Sequence, residues 1–118
     1  MQSKTEKGMY GQKEAERFLI EKGCEILERN YRIRTAEIDL IALDGTYTVF
    51  VEVKYRKDLS YGYPREAVSA QKQKRIKQAA LHYVSFKTDG ERDFRFDVVE
   101  LFESGGRLEI NHIENAFN

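Results

Sequence analysis

The amino-acid sequence predicts one α/β domain, in which a sheet is flanked by helices. Its 118 residues match the size of a single folded domain. Apolar side chains make up 41% of the chain, enough for a globular core. Segments with helical spacing and segments rich in β-branched and aromatic residues follow one another in the order α-β-β-β-α-β-β. We therefore expect residues 1–118 to form one domain, with residues 1–9 flexible.

The first half of the chain predicts one helix and three strands. Residues 10–22 carry apolar side chains at helical spacing, and Gly23 follows as a stop signal. Asp44-Gly45 is a two-residue turn signal between two apolar runs, which indicates a hairpin. The three predicted strands cover residues 24–33, 37–43 and 46–54, and the last is the richest in β-branched and aromatic residues.

The second half of the chain predicts the remaining helix and two strands. A loop over residues 57–64 contains the only proline and precedes the helix. The helix is predicted over residues 66–86 and the strands over residues 94–102 and 108–113.

Composition excludes several classes of protein. Cys24 is the only cysteine, so the chain has no internal disulfide, and one cysteine with two histidines cannot form a structural zinc site. No run of apolar residues is long enough to span a membrane. We therefore expect a cytoplasmic protein that does not bind a membrane. The formal net charge is zero, so binding to nucleic acid requires a local excess of positive charge.

Acidic and basic side chains interrupt the two strands of the predicted hairpin. Alternation along the third strand places Glu52 and Lys54 on one face. Alternation along the second strand places Glu37 and Asp39 on one face, and Ile38, Leu40 and Ala42 on the other. A closed hairpin can bring the two polar sets to the same side of the sheet. An unpaired charge is costly in strands this apolar, so the arrangement needs an explanation.

These residue types suit metal-dependent cleavage of phosphodiester bonds. Mg²⁺ binds one or two protein carboxylates together with water and substrate phosphate, so Asp39 and Glu52 are the candidate ligands. Lys54 would orient or deprotonate the attacking water and offset the negative charge of the transition state. A cross-strand salt bridge on a solvated sheet face explains the same pattern, and the pattern alone favours neither interpretation. Glu37 is either an accessory acid or a solvated residue at a strand end.

Asp39 followed by Glu52-Val53-Lys54 resembles the PD-(D/E)xK nuclease signature. More narrowly, the chain resembles the YraN-like family of predicted endonucleases, which is similar to archaeal Holliday junction resolvases. The matching segments are residues 23–31, 37–42, 49–54 with Arg56, 66–68 with Lys72, and 95–99.

The resemblance implies a restriction-endonuclease-like mixed sheet flanked by helices, with catalytic residues Asp39, Glu52 and Lys54. It also implies Mg²⁺, with Mn²⁺ as a substitute, bound by the two acids. Where the family has Gly-Glu at the start of its first helix, this chain has Gly11-Gln12, and Glu16 one turn later could take the place of the missing acid.

The expected function is hydrolysis of DNA, rather than RNA, selective for branched or irregular structure, as in DNA repair or recombination. A resolvase-like enzyme needs two active sites and therefore a homodimer. The alternative is a nucleic-acid-binding or adaptor module that has the same fold but does not catalyse. The presence of Gln12 and the zero net charge favour this alternative.

Positive charge is concentrated between residues 65 and 87, where six basic side chains accompany one acidic side chain. Contacts between such side chains and phosphates would make nucleic-acid binding dependent on salt. The same run also suits a solvated helix face, and the sequence leaves both interpretations open. The candidate nucleic-acid-binding residues are Arg56, Lys57, Lys72, Lys74, Arg75 and Lys77.

Three further polar residues are predicted to have no functional role. His82 and His112 show no ligand spacing and are interpreted as incidental. Asp97 lies in an apolar strand two residues after Arg95, which predicts a structural ion pair.

Overall fold

The computed structural model describes residues 5–56, 68–88 and 93–118. Its elements are α1 (Glu6–Glu21), β1 (Glu25–Ile33), β2 (Ala36–Asp44), β3 (Tyr47–Arg56), α2 (Ala70–Lys87), β4 (Asp93–Ser104) and β5 (Arg107–Phe117). The predicted order α-β-β-β-α-β-β is confirmed. Within these three described ranges, neither helix is long and apolar enough to cross a membrane.

The five strands form one mixed sheet in the order β1-β2-β3-β4-β5. Neighbouring strands are antiparallel except β3 and β4, which are parallel because α2 crosses between them. Asp44 pairs with Tyr47 in the β2–β3 hairpin, so the turn of this hairpin consists of Gly45 and Thr46. The predicted turn at Asp44-Gly45 is therefore one residue too early. Gly45 supplies the positive φ of 61° that this tight turn requires.

Helix α1 begins earlier than its apolar spacing predicted. Thr5 caps it, because the Thr5 hydroxyl accepts a hydrogen bond from the backbone N–H of Gly8 at 3.1 Å. Residues 6–9, which we expected to be flexible, therefore form the first turn of α1. Residues 1–4 lie outside the described part of the chain.

Helix α2 begins later than predicted. Ser69 caps it by accepting a hydrogen bond from the backbone N–H of Lys72 at 3.1 Å, so Val68 precedes the helix instead of lying within it. The first turn of α2 contains no acidic side chain. The predicted loop over 57–64 and the predicted start of this helix at residue 66 lie outside the described residues.

The sheet is covered by one helix on each face. On the α1 face, buried side chains of the helix pack against the sheet residues Leu40, Ala42, Val49, Val51, Val99 and Leu101. On the α2 face, the helix packs against Ile38, Ile41, Phe50, Phe96 and Val98. The alternation predicted for the third strand is therefore confirmed, since Val49 and Val51 lie opposite Phe50.

The alternation predicted for the second strand is wrong at one position. Ile38 belongs to the α2 face, whereas Leu40 and Ala42 belong to the α1 face. The pairs between β2 and β3 run from Leu40–Val51 to Asp44–Tyr47. Just beyond them, the Asp39 carboxylate accepts the backbone N–H of Val53 at 2.8 Å, as a main-chain carbonyl would in a regular ladder. This side-chain contact lies where the pairing of β2 with β3 ends, while β2 itself continues to Ala36.

Candidate active site

A cleft of about 630 Å³ opens where β2 and β3 meet the N-terminal turn of α2. The topology creates it, because α2 returns from the end of β3 to the start of the parallel strand β4. The charged side chains that line it are Glu37, Asp39, Glu52, Lys54, Lys72 and Arg75. The structure therefore brings together the three residues predicted as catalytic and two of the predicted phosphate-binding residues.

Two carboxylates form the floor of the cleft. Asp39 is 8% exposed and is held by the N–H of Val53, whereas Glu52 is 6% exposed. The Oε1 atom of Glu52 lies 2.9 Å from the Nζ of Lys72 and 3.9 Å from the Nζ of Lys54. Two acids and two ammonium groups therefore share one partly enclosed volume.

Burial governs the electrostatics of this cluster. Burial, together with the neighbouring Asp39 charge, raises the pKa of Glu52 to about 7, and the Lys72 ammonium opposes that shift. Burial and the nearby Lys72 charge lower the pKa of Lys54. Burial alone would also lower the pKa of Lys72, but the Glu52 carboxylate outweighs it and raises that pKa. Carboxylates kept close together against their own repulsion are typical of functional sites.

The donor atoms fit a hard divalent cation. Asp39 and Glu52 offer carboxylate oxygens, and Val53 between Glu52 and Lys54 also lines the cleft and offers a backbone carbonyl. Across residues 5–56, 68–88 and 93–118, no group of three or more His, Cys, Asp or Glu side chains is arranged to hold a metal ion. Two carboxylates with room for water and phosphate suit Mg²⁺ or Mn²⁺ better than zinc, which takes three or four protein ligands.

Glu37 also lines the cleft, at its β2 side. Its Oε2 atom accepts a hydrogen bond from Nε of Arg32 at 3.3 Å. Its Oε1 atom is buried and has no partner among the described residues. The side chain therefore keeps one acceptor available at the cleft, which suits the accessory role predicted for it.

The two first-helix candidates lie elsewhere. Glu16 pairs with Arg29, whose strand partner Leu40 belongs to the α1 face. Gln12 is buried on the inner side of α1, and its Oε1 atom has no partner among the described residues. Neither side chain lines the cleft. The structure therefore does not bring Glu16 to the cleft, where it could have taken the place of the missing first-helix acid.

The basic candidates divide into two groups. Lys72 and Arg75 line the cleft from α2, and Arg56 ends β3 nearby. Lys74 is exposed, and Lys77 lies over the ring of Phe117, with Nζ 6.0 Å from the ring centroid. Neither Lys74 nor Lys77 lines the cleft. Lys57 lies outside the described residues.

Sequence reasoning missed Glu100 on β4. Glu100 is opposite Lys54 in the β3–β4 register and is only 2% exposed. One carboxylate oxygen accepts from the side-chain amide of Asn111 at 2.7 Å, and the other has no partner among the described residues. An acid between the apolar residues Val99 and Leu101 of β4 was the signal that could have identified it.

A second charged cluster lies on the opposite face of the sheet. Asp97, which is fully buried, accepts from Nε of Arg95 at 3.1 Å, from Nε2 of His112 at 2.7 Å and from the backbone N–H of Asn115 at 3.0 Å. The ion pair predicted between Arg95 and Asp97 is therefore confirmed. His112, for which no functional role was predicted, belongs to this structural cluster, because its other ring nitrogen also lies 2.8 Å from the Nζ of Lys22.

His82 makes packing contacts away from the cleft. Its Nδ1 atom lies 2.6 Å from the hydroxyl of Tyr31, and the ring packs against Phe86 with centroids 4.7 Å apart. The first contact joins α2 to β1, the second lies within α2, and His82 does not line the cleft.

Comparison with known proteins shows that the cleft residues lie in the part of the chain that matches a protein family. The family described as "Uncharacterised protein family UPF0102" matches residues 11–101, which include every charged residue of the cleft. A UPF0102 protein of Clostridioides difficile strain 630 is 45% identical over 112 residues, which cover 95% of this chain and 96% of that protein. A UPF0102 protein of Caldicellulosiruptor saccharolyticus is 43% identical over 117 residues, which cover 98% of this chain and 99% of that protein. A UPF0102 protein of Chlorobium phaeobacteroides is 47% identical over 116 residues, which cover 93% of this chain and 92% of that protein.

Proposed function

The chain belongs to the uncharacterised protein family UPF0102, and we propose that it is a metal-dependent endonuclease that hydrolyses DNA phosphodiester bonds in the cleft. The observation that carries the proposal is the meeting of Asp39, Glu52 and Lys54 in one volume at the end of β3. A salt bridge on a solvated sheet face, the competing interpretation, fits poorly, since both carboxylates are more than nine-tenths buried.

Each cleft residue has a chemical role in this proposal. Asp39 and Glu52 would hold the cation, with the Asp39 carboxylate fixed in place by the N–H of Val53. When bound, Mg²⁺ would polarise the scissile phosphate and lower the pKa of a water molecule. Lys54 would orient that water, take up its proton or offset the charge that develops on the phosphate oxygens. The lowered pKa of Lys54, caused by burial and by Lys72, supports the proton-accepting role.

The walls of the cleft favour a polyanionic substrate. The N-terminal turn of α2 presents backbone N–H groups and the positive end of the helix dipole, and it carries no acidic side chain. Lys72 and Arg75 add two cations on the same wall. These features would bind phosphates on either side of the scissile bond, despite the zero net charge of the whole chain.

The narrower assignments are part of the same proposal. The resemblance of Asp39 and Glu52-Val53-Lys54 to the PD-(D/E)xK signature supports membership of that nuclease superfamily. The chain resembles the YraN-like family, and the similarity of that family to archaeal Holliday junction resolvases supports selectivity for branched DNA, a homodimer and a role in DNA repair or recombination. The mixed sheet with α2 crossing between its parallel strands is compatible with a restriction-endonuclease-like core.

The experiment is a cleavage assay on branched, flapped and plain duplex DNA in Mg²⁺ and in Mn²⁺. Asp39→Asn and Lys54→Ala are compared with wild type, and Glu109→Gln on the edge strand β5 is the matched control, because Glu109 is exposed and far along the chain from the cleft residues. Circular dichroism checks that each variant is folded. We expect nicking or cleavage by wild type and Glu109→Gln, and none by the two cleft variants.

The other outcomes separate the alternatives. Equal cleavage by all four proteins would indicate a contaminating nuclease and would contradict the site assignment. DNA binding by wild type without cleavage in either metal would favour the non-catalytic binding or adaptor module. The same assay on RNA hairpins tests the preference for DNA.

A further inference from the structure

Lys72 occupies an unusual position in its helix. It is the third residue after the cap Ser69, where a glutamate or glutamine would complete a capping box. A cation in the first turn also opposes the positive end of the helix dipole. The local helix chemistry therefore disfavours lysine at this position, and its presence calls for another explanation.

The side chain of Lys72 is directed at one of the candidate metal ligands. Its Nζ atom lies 2.9 Å from the Oε1 of Glu52, much closer than the 3.9 Å between Lys54 Nζ and the same oxygen. Glu52 is buried, whereas the Lys72 side chain is 42% exposed at the mouth of the cleft. The ammonium therefore bridges a buried acid and the entrance by which a substrate would arrive.

The same carboxylate oxygen cannot fully serve an ammonium and a dication at once. Three acidic and three basic side chains line the cleft, so their formal charges balance without a metal ion. Adding a divalent cation beside both ammonium groups would leave an uncompensated excess of positive charge in a partly desolvated volume. A nucleic-acid phosphate at the cleft mouth would relieve this, because the flexible lysine stem allows its ammonium to move towards the phosphate.

We propose, on the basis of the proposed function, that Lys72 couples metal binding to nucleic-acid binding. Without nucleic acid, its ammonium neutralises Glu52. When a backbone phosphate enters the cleft, the ammonium moves to the phosphate and leaves Glu52 to the divalent cation. Metal and nucleic acid then bind cooperatively, and by linkage each raises the affinity of the other by the same factor.

The test measures Mn²⁺ binding by electron paramagnetic resonance, with and without a DNA duplex that is recovered intact afterwards. The variants are Lys72→Gln and Lys13→Gln, the latter on the exposed surface of α1 and outside the cleft. We expect Lys72→Gln to bind Mn²⁺ alone about tenfold more tightly than wild type does. DNA should raise the Mn²⁺ affinity of wild type and of Lys13→Gln about tenfold, but that of Lys72→Gln by less than about threefold.

A second control separates direct contact from general charge. Arg75→Gln also removes a cation from the cleft wall, but Arg75 makes no ion pair with Glu52 among the described residues. We expect Arg75→Gln to change the affinity for Mn²⁺ alone by less than about threefold. An equal rise in Arg75→Gln and Lys72→Gln would mean that charge alone is responsible, and it would overturn the proposed coupling.

Glu52→Gln distinguishes failure of this inference from failure of the proposed function. If Glu52→Gln abolishes Mn²⁺ binding while Lys72→Gln binds no more tightly than wild type, only the coupling by Lys72 is overturned. If Mn²⁺ binds wild type and Glu52→Gln equally, or does not bind wild type or Lys72→Gln with or without DNA, the metal site and the coupling are both overturned.

Discussion

Two clusters of buried charged side chains lie on opposite faces of the same sheet. On the α2 face, Glu52 lines an open cleft, and its ion-pair partners among the described residues are two lysines. On the α1 face, Asp97 is fully buried and accepts from an arginine, a histidine and a backbone N–H. The strands are adjacent, and the residue types are similar, yet the two carboxylates are held in different ways.

The difference shows in the direction of the two pKa shifts. Burial raises the pKa of Glu52, and the nearby Asp39 carboxylate adds to that effect. Burial also acts to raise the pKa of Asp97, but hydrogen bonds from His112, Arg95 and the Asn115 backbone outweigh it, and its pKa is lowered. The fold thus stabilises the charge of Asp97 and tolerates the charge of Glu52, as expected if one cluster supports structure and the other serves function.

The largest expected effect comes from removing the Glu52 charge. Glu52→Gln should reduce DNA cleavage on the order of 10³-fold, equivalent to about 4 kcal/mol of transition-state stabilisation. It should change the free energy of unfolding by less than about 1 kcal/mol, because the variant removes an acid that the fold holds unfavourably. Cleavage kinetics and urea unfolding on the same preparation measure the two effects. A loss of several kcal/mol in stability would place Glu52 with Asp97 as a structural residue.

The structural cluster should respond in the opposite way. Asp97→Asn should lower the free energy of unfolding by about 3 kcal/mol at pH 7. The reason is that Arg95 and the other hydrogen-bond donors to Asp97 would no longer face a buried anion. Cleavage per folded molecule should stay within about twofold of wild type, since Asp97 lies on the face away from the cleft. Asp93→Asn, at an exposed position of the same strand, is the control. A stability loss no greater than that of the control would contradict the assignment.

Strand alternation and composition predicted most of the fold and grouped the central residues of the candidate site. The unbroken pattern of β3 placed Glu52 and Lys54 correctly on one face. The pattern of β2 misplaced Ile38, which lies just beyond the last pair between β2 and β3, where the Asp39 carboxylate accepts the N–H of Val53. Neither feature leaves a mark in the hydrophobic period. Periodicity records which residues are buried, and it does not record where a ladder ends.

Long-range polar contacts were the part that the sequence could not predict. Lys72 was grouped with the other cations of α2, and only the packing of the helix on the sheet selects it as the partner of Glu52. His112 was interpreted as incidental because the two histidines show no ligand spacing, and its contacts with Lys22 and Asp97 could not be predicted because those residues are distant in sequence. Such pairings depend on the order of strands in the sheet, which the order of elements along the chain does not fix.

Acid should weaken the contribution of the Asp97 cluster. The pKa of Asp97 is lower in the folded chain than in the unfolded chain, so its charge stabilises the fold above the unfolded pKa near 3.8, and this stability is lost as pH falls through the folded pKa. The difference in unfolding free energy between wild type and Asp97→Asn should begin to shrink as the pH falls below the unfolded value near 3.8, and it should shrink further as the pH approaches the folded pKa. Urea unfolding from pH 7 to pH ~3 measures it. A constant difference would mean that packing of the side chain, and not its charge, stabilises the fold.

The smallest expected effect concerns the Lys22 end of the same cluster. The ammonium of Lys22 can only donate, so the Nδ1 of His112 accepts, and the opposite nitrogen, Nε2, carries the hydrogen donated to Asp97. Lys22→Met should therefore cost only about 0.5–1 kcal/mol of unfolding free energy, because Lys22 is exposed and Asp97 still fixes the ring. Ring nitrogen shifts in ¹⁵N spectra at pH 8 should show hydrogen on Nε2 in both proteins. Hydrogen on Nδ1 in wild type would rule out donation by Lys22 and would leave His112 contacting Asp97 without donating to it.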